Sequence, residues 1–287
     1  GGYHSEPQEI FKRQHALEEL AKVSARRFGL RILYSELSIS TTEILHNLIG
    51  DGIIRETQKG VACKFAHDIF FEWSEFYLFK RKDENWLDAL IDAGEPPVLG
   101  RVVELLSQSF FSSKQEWPAH LMRIETSVLR SQWQRAWLIG PFGMPDFEDS
   151  ITTFEKAISQ DNYRRLRSLF VWFQAEKTVP NKLVLNGQLI STTLPSYEII
   201  RIADTLGWPS DFSAWRRLIT WTLDQVDCFP CTVIPDIVAV FEVWQNAFAD
   251  YQNVLSDRIV KKCLDWLIDI EDKLHPEEWS NNLGKWH

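Results

Sequence analysis

Few groupings in this sequence have residue types and spacings that chemistry could use. Cys228-Phe229-Pro230-Cys231 places two thiols with two residues between them, a spacing that suits a zinc knuckle or thiol exchange. A zinc site needs two further ligands. Cys263 and His275 are the nearest in sequence and do not form a second knuckle. No βαβ pattern surrounds the pair, so two ordinary core or loop thiols are the expected reading. His67-Asp68 could supply half of a hydrolytic triad, but no nucleophile can be set against it, and Asp68 reads better as a helix cap. Asp146, Glu148, Asp149 and Glu155 could pair as acid and base, yet acidic helix starts are common. Glu72 and Glu75 read as surface charges. No GxxxxGK[ST], HExxH, GxSxG or EF-hand loop occurs; the terminal Gly284-Lys285 lacks the context of a phosphate loop. The chain is therefore expected not to be an enzyme by itself.

The elements that would position these groups are mostly helices. In 287 residues, 45% are apolar, and 13 Trp and 18 Phe favour interlocked, buried packing. Residues 7–28 repeat apolar positions at helical spacing and stop at Gly29. Arg31 to Leu37 reads as a brief strand or a middle helix. Ser40-Thr41-Thr42-Glu43 has the capping-box pattern, with Ser40 as the cap. Ile53–Arg55 and Val61–Phe65 flank a turn at Gly60 and read as a hairpin. Asp68 opens a helix that is aromatic on nearly all sides, expected to be buried between this module and the helices C-terminal to it. The order is that of a winged helix over residues 1–80. Residues 81–287 read as an irregular helical-repeat array (HEAT- or TPR-like) or an α-bundle, with helices at 98–110, 116–138, 147–159, 162–174, 196–206, 211–226, 233–249 and 254–273. Lys182 to Ile190 reads as a loop. The fold class is thus mainly α.

The formal net charge of −9 argues against non-specific nucleic-acid binding by the whole chain. The helix in the recognition position, carrying Thr41, Thr42, Glu43, His46 and Asn47, has no Lys or Arg for phosphate or guanine, so DNA is not an expected partner. Arg164, Arg165, Arg167, Arg216 and Arg217 read as solvent-facing or paired helix charges, with a groove for an acidic partner as the alternative. No apolar run reaches the roughly 18 residues that a membrane helix requires. Four cysteines suit free thiols in a reducing compartment, so the expected location is the cytoplasm. Gly1-Gly2 is expected to be a scar of tag removal, with natural sequence upstream.

The run Lys64-Phe65-Ala66-His67-Asp68-Ile69-Phe70-Phe71-Glu72-Trp73, with Glu43 to Ile54 before it, resembles the winged-helix segment of STAND-type (NACHT/AP-ATPase-like) signalling ATPases. The resemblance covers about residues 15 to 80. It implies an ATPase domain N-terminal to this chain, with ATP and Mg as cofactors of the full-length protein and none in this fragment. It also implies that His67 contacts the bound phosphate once that domain is present. The helical remainder would act as a sensor for a protein partner or trigger, and prokaryotic members of the family include anti-phage defence proteins. The expected function is a regulatory and sensing fragment whose partner in cis is the missing ATPase domain. The alternative is a winged-helix nucleic-acid-binding regulator with a helical partner-binding domain.

Overall fold

A computed structural model describes residues 7–113, 116–188, 194–248 and 253–273. The fold is mainly α-helical, with two small β-sheets. Gly1-Gly2, His275 and Gly284-Lys285 lie outside the described residues, as do positions 189 and 190.

The first helix, α1 (Pro7–Arg26), starts at a proline and ends two residues before Phe28 and Gly29, both of which have positive φ. Strand β1 (Ile32–Leu33) and a 3₁₀ turn (Tyr34–Glu36) come next, so the Arg31–Leu37 segment is part strand and part helical turn. Helix α2 (Ile39–Gly50) is capped by Ser38, whose hydroxyl accepts from the Thr41 N–H. This corrects the expected cap at Ser40. Glu19 of α1 decides the position: its carboxylate accepts from the Ser38 N–H at 2.7 Å, the Ser38 hydroxyl at 2.6 Å and the Thr41 hydroxyl. Burial pushes the Glu19 carboxyl up, but these donors pull it net below its ordinary pKa.

Strands β2 (Ile54–Gln58) and β3 (Ala62–Phe65) form the hairpin, with a register shift between Glu56 and Gln58. Gly60 turns it at φ +67°, a conformation that costs glycine little. Strand β1 pairs antiparallel with β3, giving the sheet order β1-β3-β2. Glu56 bridges sheet and turn: its Oε1 accepts from the Tyr34 hydroxyl and the Gly60 N–H, both at 2.9 Å. Helix α3 (Asp68–Lys80) then packs against α1.

Helices α4 (Trp86–Asp92), α5 (Gly100–Phe111), α6 (Glu116–Thr126), α7 (Ser131–Ile139) and α8 (Ile151–Ser159) continue the chain. A single helix over 116–138 is therefore corrected to two. The break has a tertiary cause. Glu95 accepts from the Arg130 N–H at 3.0 Å and from the Trp133 indole at 2.6 Å, fixing the start of α7. The core here is aromatic. Trp86 and Trp137 stack at 5.2 Å and 9°, and Trp117 stacks on Trp137 at 6.3 Å. Each of these three buried indoles is satisfied: Trp86 donates to His120 Nδ1 (3.1 Å), Trp117 to the Ser107 hydroxyl (2.8 Å), and Trp137 to the Trp117 carbonyl (3.3 Å). Burial, aided by Arg123, lowers the His120 pKa, and its Nδ1 is the acceptor of a neutral ring.

Further on come α9 (Arg164–Lys177), β4 (Thr178–Val179), α10 (Lys182–Leu185), α11 (Ser196–Leu206), β5 (Trp208–Pro209), α12 (Phe212–Gln225), α13 (Ile234–Ala247) and α14 (Val254–Lys273). Strands β4 and β5 pair antiparallel. The Lys182–Leu185 segment, expected to be loop, is a short helix because Asn181 caps it, accepting from the Leu183 and Val184 N–H groups. The chain divides into two compact units, Gly1–Ala157 and Ile158–His287. Residue 80, the boundary expected from composition, lies inside the first unit, where α3 packs on both α1 and α5.

Candidate functional site

The candidate site in the first unit is built on α3. The β-ladder holds the backbone extended up to Ala66, whose N–H donates to the Ile53 carbonyl at 2.9 Å. His67 then takes the N-cap position with φ −136° and ψ 146°, and its side chain makes no capping bond. Asp68 is the first helical residue, not the cap expected from sequence. Its negative charge still suits the helix N-terminus. The exposed His67 ring lies 6.0 Å from that of Phe70.

Helix α3 has two faces. Phe71, Phe76, Leu78 and Phe79 are buried. Ile69, Trp73 and Tyr77, four residues apart, are 53%, 44% and 55% exposed. Trp73 and Tyr77 hold each other at 5.7 Å, and Trp73 meets Phe76 edge-on at 5.5 Å. The helix is thus not buried on all sides, as its composition suggested. One stripe of large apolar side chains begins beside His67 and runs along the surface, the i, i+4 spacing placing it on one face.

On the opposite side, Glu75 is 2% exposed, which corrects its reading as a surface charge. It lines a cleft of about 300 Å³ with Lys22 and Arg26 of α1, Lys82, and Asp92 of α4. Glu75 Oε1 has no hydrogen-bond partner. Burial raises the Glu75 pKa to about 7, with the positive charge of Lys22 pulling the other way. The group therefore exchanges a proton near neutral pH. The cleft has no hydroxyl or thiol among its described lining residues, and it sets a titrating acid among the cations Lys22, Arg26 and Lys82. The sequence signal for burial was present: Phe71, Leu78 and Phe79, at −4, +3 and +4 from Glu75, put it on the apolar face.

The other candidates are dispersed. The exposed face of α2 carries Thr42, Glu43, His46 and Asn47, without a cation. Cys228 and Cys231 are exposed free thiols, Cys263 is half-buried and Cys63 is in the core. Among the described residues, no three His, Cys, Asp or Glu side chains gather to hold a metal ion. Glu148 and Asp149 are the exposed residues of a 3₁₀ turn (Phe147–Ser150) whose two ends are buried and which begins just after Asp146. Arg164 and Arg165 lie by Asp161, and Arg167 pairs with Asp236 at 3.0 Å. Among the described residues, no helix is long and apolar enough to cross a membrane. No protein-family model matches the chain, and no curated protein sequence does.

Proposed function

We propose that residues 7–80 form a winged-helix connector of a STAND-type signalling ATPase and that the helices beyond serve as its sensor. The connector rests against the nucleotide-binding domain of the same polypeptide, with His67 reaching the bound phosphate of ATP-Mg. The carrying observation is the exposed Ile69–Trp73–Tyr77 stripe that starts next to His67. Three large apolar side chains held in water on one helix face are favoured by a covering partner. The element order and the sheet order β1-β3-β2 support the winged-helix part of the reading. The cation-free face of α2 counts against duplex DNA as the partner.

The test has two stages. The native reading frame is sequenced first; an uninterrupted frame without a phosphate-loop domain ends the proposal. If that domain is encoded, ATP turnover by the whole protein is compared with that of Trp73→Ala and His67→Ala. Trp73→Ala is expected to change turnover severalfold by loosening the covered face, and His67→Ala to weaken nucleotide binding by about tenfold. Turnover and affinity equal to the parent in both variants overturn the assigned roles.

A further inference from the structure

Helix α14 packs on α12 and α13 by one face. Leu255 and Ile259 are buried there, and Trp266 stacks on Phe241 of α13 with ring centroids 6.4 Å apart. The opposite face is apolar as well. Val260, Leu264, Leu267 and Ile268 are 50%, 53%, 62% and 55% exposed. Steps of four, three and one put them in a single stripe along the helix. Aliphatic side chains scattered singly need no cover, but a contiguous stripe favours one.

The sequence after α14 has a matching pattern. His275-Pro276 comes first. The residue before a proline is turned away from helical backbone, and proline has no N–H for a continuing helix. Residues 277–287 then read EEWSNNLGKWH. Pro276 suits the first position of a new helix, and Glu277 and Glu278 suit its first turn. Trp279, Leu283 and Trp286 recur at i, i+4 and i+7, which is one face of a helix. A segment this short, with Gly284 inside it, does not hold a helix alone in water. It needs an apolar surface to lie on.

Register and charge agree with that surface being α14. A short connection between helices gives an antiparallel pair, so a turn centred on His275 brings together residues equidistant from it. Leu267 and Leu283 are each eight positions away, Asp265 and Lys285 ten, and Leu264 and Trp286 eleven. Apolar residues thus meet apolar ones, and the charges are opposite. Asp265 is exposed and has no cationic partner among the described residues.

We propose that residues 277–287 fold back as a helix on the stripe of Val260, Leu264, Leu267 and Ile268, with Lys285 paired to Asp265. Leu283 and Trp286 cover Leu267 and Leu264, and Trp279 lies toward the Ile268 end. The contact uses residues of the second unit alone and stands apart from the ATPase proposal.

The experiment is amide hydrogen exchange of the full chain, read by mass spectrometry on peptides from 277–287 at a high and a low protein concentration. The later amides of that segment are expected to exchange at least about tenfold more slowly than those of an unprotected peptide. Leu264→Asp puts a charge into the stripe and Trp286→Ala removes part of the cover; each is expected to return exchange to within about twofold of the peptide. Asp265→Lys is expected to speed exchange by about two- to fivefold, and Asp265→Lys combined with Lys285→Asp to restore the parent rate. Thermal unfolding checks that each variant folds; should Leu264→Asp fail, Trp286→Ala decides. Peptide-like exchange in the parent, or protection that survives the apolar substitutions, overturns the proposal, and a charge swap that restores nothing overturns its register. Protection that vanishes on dilution, with sedimentation as a dimer, also overturns it by assigning the stripe to a second copy of the chain.

Discussion

Two regions of this protein bury indole N–H groups and treat them differently. In the α4–α7 core, Trp86, Trp117 and Trp137 each donate to a named acceptor, and Ser107 both accepts from Trp117 and donates to the Trp137 carbonyl at 2.6 Å. In the second unit, Trp244 of α13 has none. Trp215, on the same helix as Phe212, shows that the second unit can satisfy an indole: it donates to the Lys177 carbonyl at 2.6 Å. The three indoles of the α4–α7 core are all paired, although Gln132 Nε2 on α7 is not.

The sharpest way to break the contrast is Ser107→Ala, which leaves both the Trp117 N–H and the Trp137 carbonyl buried without their partner. It is expected to lower the unfolding free energy by about 2–4 kcal/mol in urea titrations; a loss under about 1 kcal/mol would mean that the network is not a structural one. Next in size is Glu75→Gln, at another buried atom without a partner. The Glu75 pKa is raised from 4.5 to about 7 in the fold, so the folded state binds the extra proton between these values. The stability that this supplies is complete below pH 4.5, is lost as pH rises to about 7, and stays lost above. The amide is expected to match the parent near pH 4.5 and to exceed it by about 2 kcal/mol at pH 8. A variant less stable than the parent at pH 8 would show that the carboxylate is held by partners after all. The finest comparison is Trp215→Phe against Trp244→Phe by thermal melting. The first is expected to cost about 1–2 kcal/mol and the second within about 0.5 kcal/mol. Equal costs would erase the distinction between a paired and an orphan indole.

Much of the helical order was legible because proline and glycine punctuate it. Pro195, Pro230 and Pro235 mark the starts of α11 and α13, and the expected 254–273 helix is α14 as found. The hairpin was legible from its β-branched flanks and Gly60. Where the deciding contact comes from elsewhere in the chain, sequence pattern failed. Neither glycine nor proline marks the break at 127–130; Glu95 makes it from 35 residues away. Glu19 likewise selects Ser38 over Ser40 as a cap. The α3 helix was read correctly as aromatic and wrongly as buried all round, since composition alone does not assign its faces to partners.

The Trp86–Trp137 pair has an optical consequence. Two indoles held nearly parallel 5.2 Å apart, one with its nitrogen against an imidazole, absorb as coupled chromophores in a fixed chiral setting. The near-ultraviolet dichroism of this protein should therefore contain a coupled contribution from this pair, and that contribution should fade when this part of the first unit loosens even while the helices elsewhere stay wound.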